Sequence, residues 1–118
     1  MLDINKAESV RQFAKTIYIS HPYQNKKSNK KKVEKIIRGL TKTFPNYLFI
    51  SPIHAFGFLY TDVPYSKGLD MSLSLLDNTD EMWVYGKYQE SKGCRSEIAY
   101  CKEYNIPYQI NDENIWVK

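Results

Sequence analysis

The chain has little of what marks secreted, metal-binding or membrane-embedded proteins. Only two cysteines, Cys94 and Cys101, occur among its 118 residues. Both fall in one segment of helical spacing, so about 10 Å separates them, beyond the reach of a disulfide. Free thiols are expected. The two histidines, His21 and His54, are isolated from each other and from the cysteines. No zinc-type spacing results, and neither a metal nor a cofactor is expected. Long hydrophobic runs are also missing. Stretches such as residues 47–50 fall far short of the roughly 20 apolar residues that span a bilayer, so no membrane association is expected. The first residues are polar and acidic, without the basic head and apolar stretch of a secretory signal. A cytoplasmic location is the expectation. There is no internal repeat and no low-complexity linker.

What is present is the composition of one compact domain, 42% hydrophobic and 25% charged. Residues 1–15 read as an N-terminal helix or arm, with Ile4, Ala7, Val10 and Phe13 at spacings of three, and residues 16–118 as a single domain. The net charge of +4 is local, because much of it sits in the lysines of residues 26–32. A nucleic-acid binder spreads basic residues over a face and interleaves stacking aromatics, so nucleic acid is not the expected partner. Two readings of the lysine run stay open: a solvated loop entering a helix, or a rim that attracts phosphate.

Along the chain, residues 16–20 form a short β-branched and aromatic run, apolar on both faces, as in a buried parallel strand. Val33, Ile36, Ile37 and Leu40 recur at helical spacing and predict a crossover helix over 28–43. A second strand follows at 47–51, ended by Pro52. Residues 53–67, rich in aromatics and interrupted by Gly57 and Pro64, read as a structured loop or broken helix. The pattern then predicts a helix over 68–78, a strand over 81–85, a loop over 86–90, a helix over 91–104 and a strand over 105–110, closed by the tail 115–117. Strands alternating with helices predict the α/β class: a small, doubly wound, mainly parallel sheet of four to five strands flanked by helices, Rossmann-like or flavodoxin-like.

Ligands of such sheets sit outside the carboxyl ends of the strands. Three segments are expected there: Ser20 to Tyr23, Ser51 to His54, and Gly86 to Glu97. Ser91 and Gly93 stand at a helix start, where free N–H groups and the helix dipole favour an anion. Glu97 follows in the same helix. Spacing alone leaves it either a cleft carboxylate or an acidic residue that complements the dipole. His54 reads as a structural histidine and Trp83 as core. Tyr23, Phe56 and Phe58 read as a base-stacking wall.

Ser91, Gly93, Glu97, Ile98, Cys101, Ile106 and Pro107 form a motif that resembles the signature of nucleoside 2-deoxyribosyltransferases and the related deoxynucleoside monophosphate N-glycosidases. Tyr18-Ile-Ser-His-Pro-Tyr23 resembles the opening strand and loop of that superfamily. Asp70, Leu76, Asp80 and Val84 resemble its following helix and strand. The likeness covers roughly residues 16–110 and is closest to the small phage and bacterial branch, so a phage-encoded protein acting in the host cytoplasm is one expectation.

The resemblance implies that Glu97 is the nucleophile attacking the anomeric carbon of a deoxyribosyl group, through an oxocarbenium-like transition state. It implies that Tyr18 orients that carboxylate and that Asp70 protonates the departing base or binds its edge. Phosphate would be held by Ser91, Lys92, Gly93 and Arg95, together with Ser20, His21, Pro22 and Tyr23. His21 departs from the small residue usual in that loop. The implied function is cleavage or transfer of the N-glycosidic bond of a nucleoside or its 5′-monophosphate. The alternative is a binder that sequesters a nucleotide or an ADP-ribose-derived signal without cutting it. A homodimer or larger homo-oligomer is expected in either case.

Overall fold

The β-branched and aromatic run that predicts the first strand pairs on both of its edges. In the computed structural model, which describes residues 13–111, β1 (Lys15–Ser20) lies between β2 (Tyr47–Ile50) and β3 (Glu81–Val84), and β4 (Tyr108–Ile110) closes the far edge. The order is β2-β1-β3-β4 and every pairing is parallel. Between the strands run α1 (Lys27–Thr43), α2 (Pro52–Phe56), α3 (Tyr65–Asp77) and α4 (Lys92–Tyr104), with single 3₁₀ turns at Gly57–Leu59 and Tyr88–Glu90. This is the α/β, doubly wound class expected from the sequence, in a strand order shared with flavodoxin-like sheets.

Alternation along the strands divides the core in two. Ile17, Ile19, Trp83 and Tyr85 meet Val33, Ile36 and Leu40 of α1 on one face. Tyr18, Met82 and Val84 meet Leu76 of α3 and Ile98 and Cys101 of α4 on the other. Trp83 is core, as expected, with Phe44 and Phe49 packed against its ring. Consecutive crossovers that leave β1 and β3 toward opposite faces open a crevice between those two strand ends.

Several boundaries differ from the sequence expectation, for local reasons. Ser51 and Pro52 do not simply end β2. The Ser51 hydroxyl accepts from the His54 N–H and Pro52 occupies the first turn, so together they start α2. Residues 53–67 are therefore ordered as α2, a 3₁₀ turn and the start of α3, which begins at Tyr65 behind Pro64 rather than at Gly68. At the other end, Asn105 takes the left-handed conformation (φ 57°) that caps α4, so β4 starts three residues later than expected. Lys15 already belongs to β1, one residue inside the expected arm. The expected N-terminal helix and the tail at 115–117 lie outside the described residues, apart from Phe13 and Ala14, which are not helical. Among the described residues, no helix is long and apolar enough to cross a membrane.

Candidate functional site

At the carboxyl ends of β1 and β3 the crevice widens into a cavity of about 480 Å³, within the size range of small-molecule sites. The β1 loop contributes His21, Tyr23 and Gln24, α2 contributes Ile53 and Phe56, and α3 contributes Leu69 and Ser72. Leu59, Tyr60, Val63 and Pro64 line it between α2 and α3, and the start of α4 forms a further wall through Ser91, Gly93, Cys94 and Glu97.

Glu97 is where this wall departs from ordinary packing. It sits in the second turn of α4, on the inward stripe with Cys94 and Cys101, and is only 6% exposed. It is thus no surface partner of the helix dipole. Its carboxylate lies over β1, where Tyr18 and Ser20, two residues apart, present their hydroxyls on the same face of the sheet. The Tyr18 hydroxyl donates to Oε2, and the Ser20 hydroxyl donates to Oε1 at 2.7 Å. Burial pushes the carboxyl up to about 7, and the two hydroxyl hydrogen bonds oppose that rise. The titratable neighbours Tyr18, Tyr65, Cys94 and Cys101 are all pushed up as well, in each case first by burial and then by the Glu97 charge. Of this group, the carboxyl alone changes charge near neutral pH.

Replacing Tyr18 by Phe removes a donor that favours the ionised form, so the Glu97 carboxyl is expected to titrate above its wild-type value of about 7. A carboxyl-carbon NMR titration of the two proteins checks this. An unchanged or lower midpoint would remove Tyr18 from the role of positioning donor.

The structure brings together only some of the expected site residues. Ser20 is engaged with Glu97, so it holds the carboxylate rather than a phosphate. Ser91 lines the cavity and caps α4, accepting from the Cys94 N–H at 3.1 Å. Lys92 and Arg95 stand at the rim. The Lys92 ammonium lies 5.2 Å from the centre of the Tyr65 ring, and Arg95 Nε donates to the Ser91 carbonyl at 3.3 Å. A Cβ added at Gly93 meets only ordinary contacts, 3.6 Å to the Tyr65 hydroxyl and 3.8 Å to the Ser91 hydroxyl. Packing therefore does not demand glycine there.

His21 is buried and its Nδ1–H donates to the Pro22 carbonyl at 2.7 Å. Pro22 lines a neighbouring hollow instead of the cavity.

Two expected participants lie elsewhere. Asp70 is on the exposed side of α3 and does not line the cavity, because Leu69 and Ser72 take the inward positions of that turn. Phe58 is 76% exposed and is not part of the cavity lining, whereas Phe56 is. Asp80 stands at the opposite end of the sheet, where its carboxylate accepts from the Thr16 N–H at 2.7 Å and ties β1 to the start of β3. His54 is structural as expected. Its Nε2–H donates to Glu34 at 2.8 Å and its Nδ1 lies 2.8 Å from the Ser51 hydroxyl. Cys94 and Cys101 are free thiols. Among the described residues there is no group of three or more His, Cys, Asp or Glu able to hold a metal.

Sequence reasoning missed Gln24, Tyr65 and Ser72. The signal for the last was present: Leu69 and Ser72 stand three apart on one helical face.

A family model described as a domain of unknown function, DUF7768, matches residues 15–111, the whole span from β1 to the end of β4. The chain belongs to the DUF7768 family. No curated protein and no solved structure matches the chain. The region of the family match contains every residue of the Glu97 cluster and every wall of the cavity. In this DUF7768 chain, then, the fold and the buried carboxylate belong to one and the same unit.

Proposed function

We propose that the chain binds a nucleoside or nucleotide in the 480 Å³ cavity and cleaves or transfers its N-glycosidic bond through Glu97. The observation that carries this reading is a carboxylate buried at the cavity wall and held, among the described residues, by two hydroxyls. Such a group costs stability, and carboxyls displaced this far from their ordinary range cluster at reactive sites. The resemblance of the 91–107 motif and of the 18–23 segment to nucleoside 2-deoxyribosyltransferases supports the same reading.

In the proposed reaction, a Glu97 oxygen bonds to the anomeric carbon as the carbon–nitrogen bond breaks. The base leaves with the electron pair and takes up a proton from water. Water or a second base then attacks the anomeric carbon of the glycosyl ester and returns the carboxylate. Tyr18 and Ser20 keep the carboxylate aimed, and the apolar wall from Ile53, Phe56 and Leu69 receives the base. Ser91 and the backbone at Gly93 would take a 5′-phosphate at the start of α4. Exposed Phe58, Tyr60 and Tyr65, in the segments that wall the cavity, support pairing of subunits at its mouth.

A second reading is favoured by the position of Asp70. With that carboxyl outside the cavity, the departing base lacks the acid that the resemblance implies, which supports binding without cutting. One experiment separates the two. Incubation with deoxynucleosides and their 5′-monophosphates, with and without acceptor bases, is expected to yield free base or exchanged nucleoside by chromatography. Retention of intact ligand on the protein, with no product, would leave the binder. If nothing is bound or cut, both readings fall.

A further inference from the structure

A second hollow, of about 300 Å³, adjoins the main cavity. The two share His21, Gln24 and Glu90 in their linings, so they meet across one thin partition. The hollow differs in chemistry from its neighbour. Lys26, Lys32 and Lys87 line it, with Ser28 and Asn29 between the first two, and among the described residues Glu90 is the one carboxylate there. Three positive charges against one negative charge make it a place for an anion.

The lysine run of the sequence, open to two readings, divides here along helical spacing. Residues 26, 29 and 32 follow one another at intervals of three and face the hollow on one side of α1. Lys30 lies instead beside Glu34 on another side of the helix.

The partition itself is built in a demanding conformation. Gln24 and Asn25 both take positive φ, 52° and 55°, and the Lys26 N–H donates to the Tyr23 carbonyl at 3.0 Å, as in a type I′ turn. The Asn29 side-chain amide donates to the same carbonyl at 2.9 Å. Glutamine gains nothing locally from a left-handed backbone. This arrangement places Gln24 between the two spaces, and α1 starts directly behind it with no acidic residue in its first turn.

We infer that the ligand carries at least two phosphoryl groups, as a nucleoside diphosphate does, with the distal one held in the hollow by Lys26, Lys32 and Lys87. This rests on the nucleotide reading above. The nucleoside part occupies the main cavity and the proximal phosphate lies by Ser91 and Gly93. From there the chain of phosphates passes Glu90, which immediately precedes Ser91, and crosses beside Gln24 and His21 into the basic hollow. Glu90 and the three lysines are all exposed and screened alike by water, so the field of the hollow is positive through the excess of lysines over that carboxylate.

The test is calorimetric titration of the full chain with each deoxynucleoside, its 5′-monophosphate and its 5′-diphosphate, for all four bases. The diphosphate is expected to bind about tenfold more tightly than the monophosphate of the same base, a preference that shrinks as salt is raised. In Lys32→Glu/Lys87→Glu the ratio of the two affinities is expected to fall toward one. Both lysines are exposed, and circular dichroism together with a milder Lys32→Gln/Lys87→Gln pair separates lost charge from lost fold. Equal binding of monophosphate and diphosphate by the wild-type chain overturns the inference and leaves the nucleotide reading standing. A diphosphate preference that survives in both double variants overturns the placement in the hollow. If no member of the panel binds, the nucleotide reading falls and this inference with it.

Discussion

A Glu97→Gln protein is expected to lose base release by at least about a thousandfold and yet to melt at a higher temperature than wild type near pH 8. Both effects come from one charge. The amide keeps the size of the side chain and still meets the Tyr18 and Ser20 hydroxyls, which can rotate to donate or accept, but it cannot form the glycosyl ester. Stability follows the proton. In the unfolded chain the carboxyl titrates at its ordinary 4.5, and in the folded chain at about 7. Below 4.5 it is protonated in both states. Between those values the folded chain holds a proton that the unfolded chain has released, so stability falls as pH rises through the window. Above about 7 both states are ionised and the penalty is constant, on the order of 3 kcal/mol at most.

Glutamine has no such slope. Wild type and variant are therefore expected to converge in melting temperature toward pH 4.5 and to separate above pH 7, with the variant the more stable. Activity of the wild type is expected to rise over the same window, because attack requires the ionised carboxylate. Parallel melting curves for the two proteins at all pH values would show that Glu97 ionises as an ordinary surface carboxylate.

Gly86→Ala is expected to cost about 2–3 kcal/mol, which for a domain of this size lowers the melting temperature by roughly 10 °C or more. Gly86 follows β3 at φ 79°. An L-residue is strained in that conformation whatever the space around it. The space is also taken, since an added Cβ would lie 2.9 Å from His21 Nε2 and 3.1 Å from Pro22 Cδ. His21 lines both cavities and Pro22 lines the basic hollow, so relief of the clash must displace the β1 loop. Ligand affinity is therefore expected to fall along with stability. Gly39→Ala is the matching control. It lies inside α1 with nothing within 4 Å of an added Cβ, and a gain of about 0.5–1 kcal/mol is expected there. Thermal denaturation of the two variants decides the matter, and a neutral Gly86→Ala would mean that the His21 loop is free to move.

The difference between what was readable and what was not tracks the range of the interactions concerned. The strand at β1 was legible because burial on both faces leaves an unbroken β-branched and aromatic run, and α1 and α4 were legible because their apolar residues repeat at the helical period. Residues 53–67 were not, because α2 has only five residues and its start is encoded by a cap, Ser51 with Pro52, that also reads as the end of a strand. Asp70 was misplaced for a related reason. Its chain position matches a family motif, but the rotation of α3 that turns Ser72 inward, and Asp70 out, depends on how the helix packs against its neighbours.

By itself, then, the sequence determined the α/β class, the order of its elements and the presence of an acidic residue near the head of the last helix. Those are local properties, set by periodicity and caps. Tertiary structure alone decided that Glu97 is buried, that Tyr18 and Ser20, 79 and 77 positions away, supply its two hydrogen bonds, and that two of the lysines of residues 26–32 face a hollow beside Lys87. The physical reason is that the strength of a carboxylate as base or nucleophile depends on how much water is removed from it and which donors replace that water. Both depend on contacts between segments far apart in the chain, which no local pattern records.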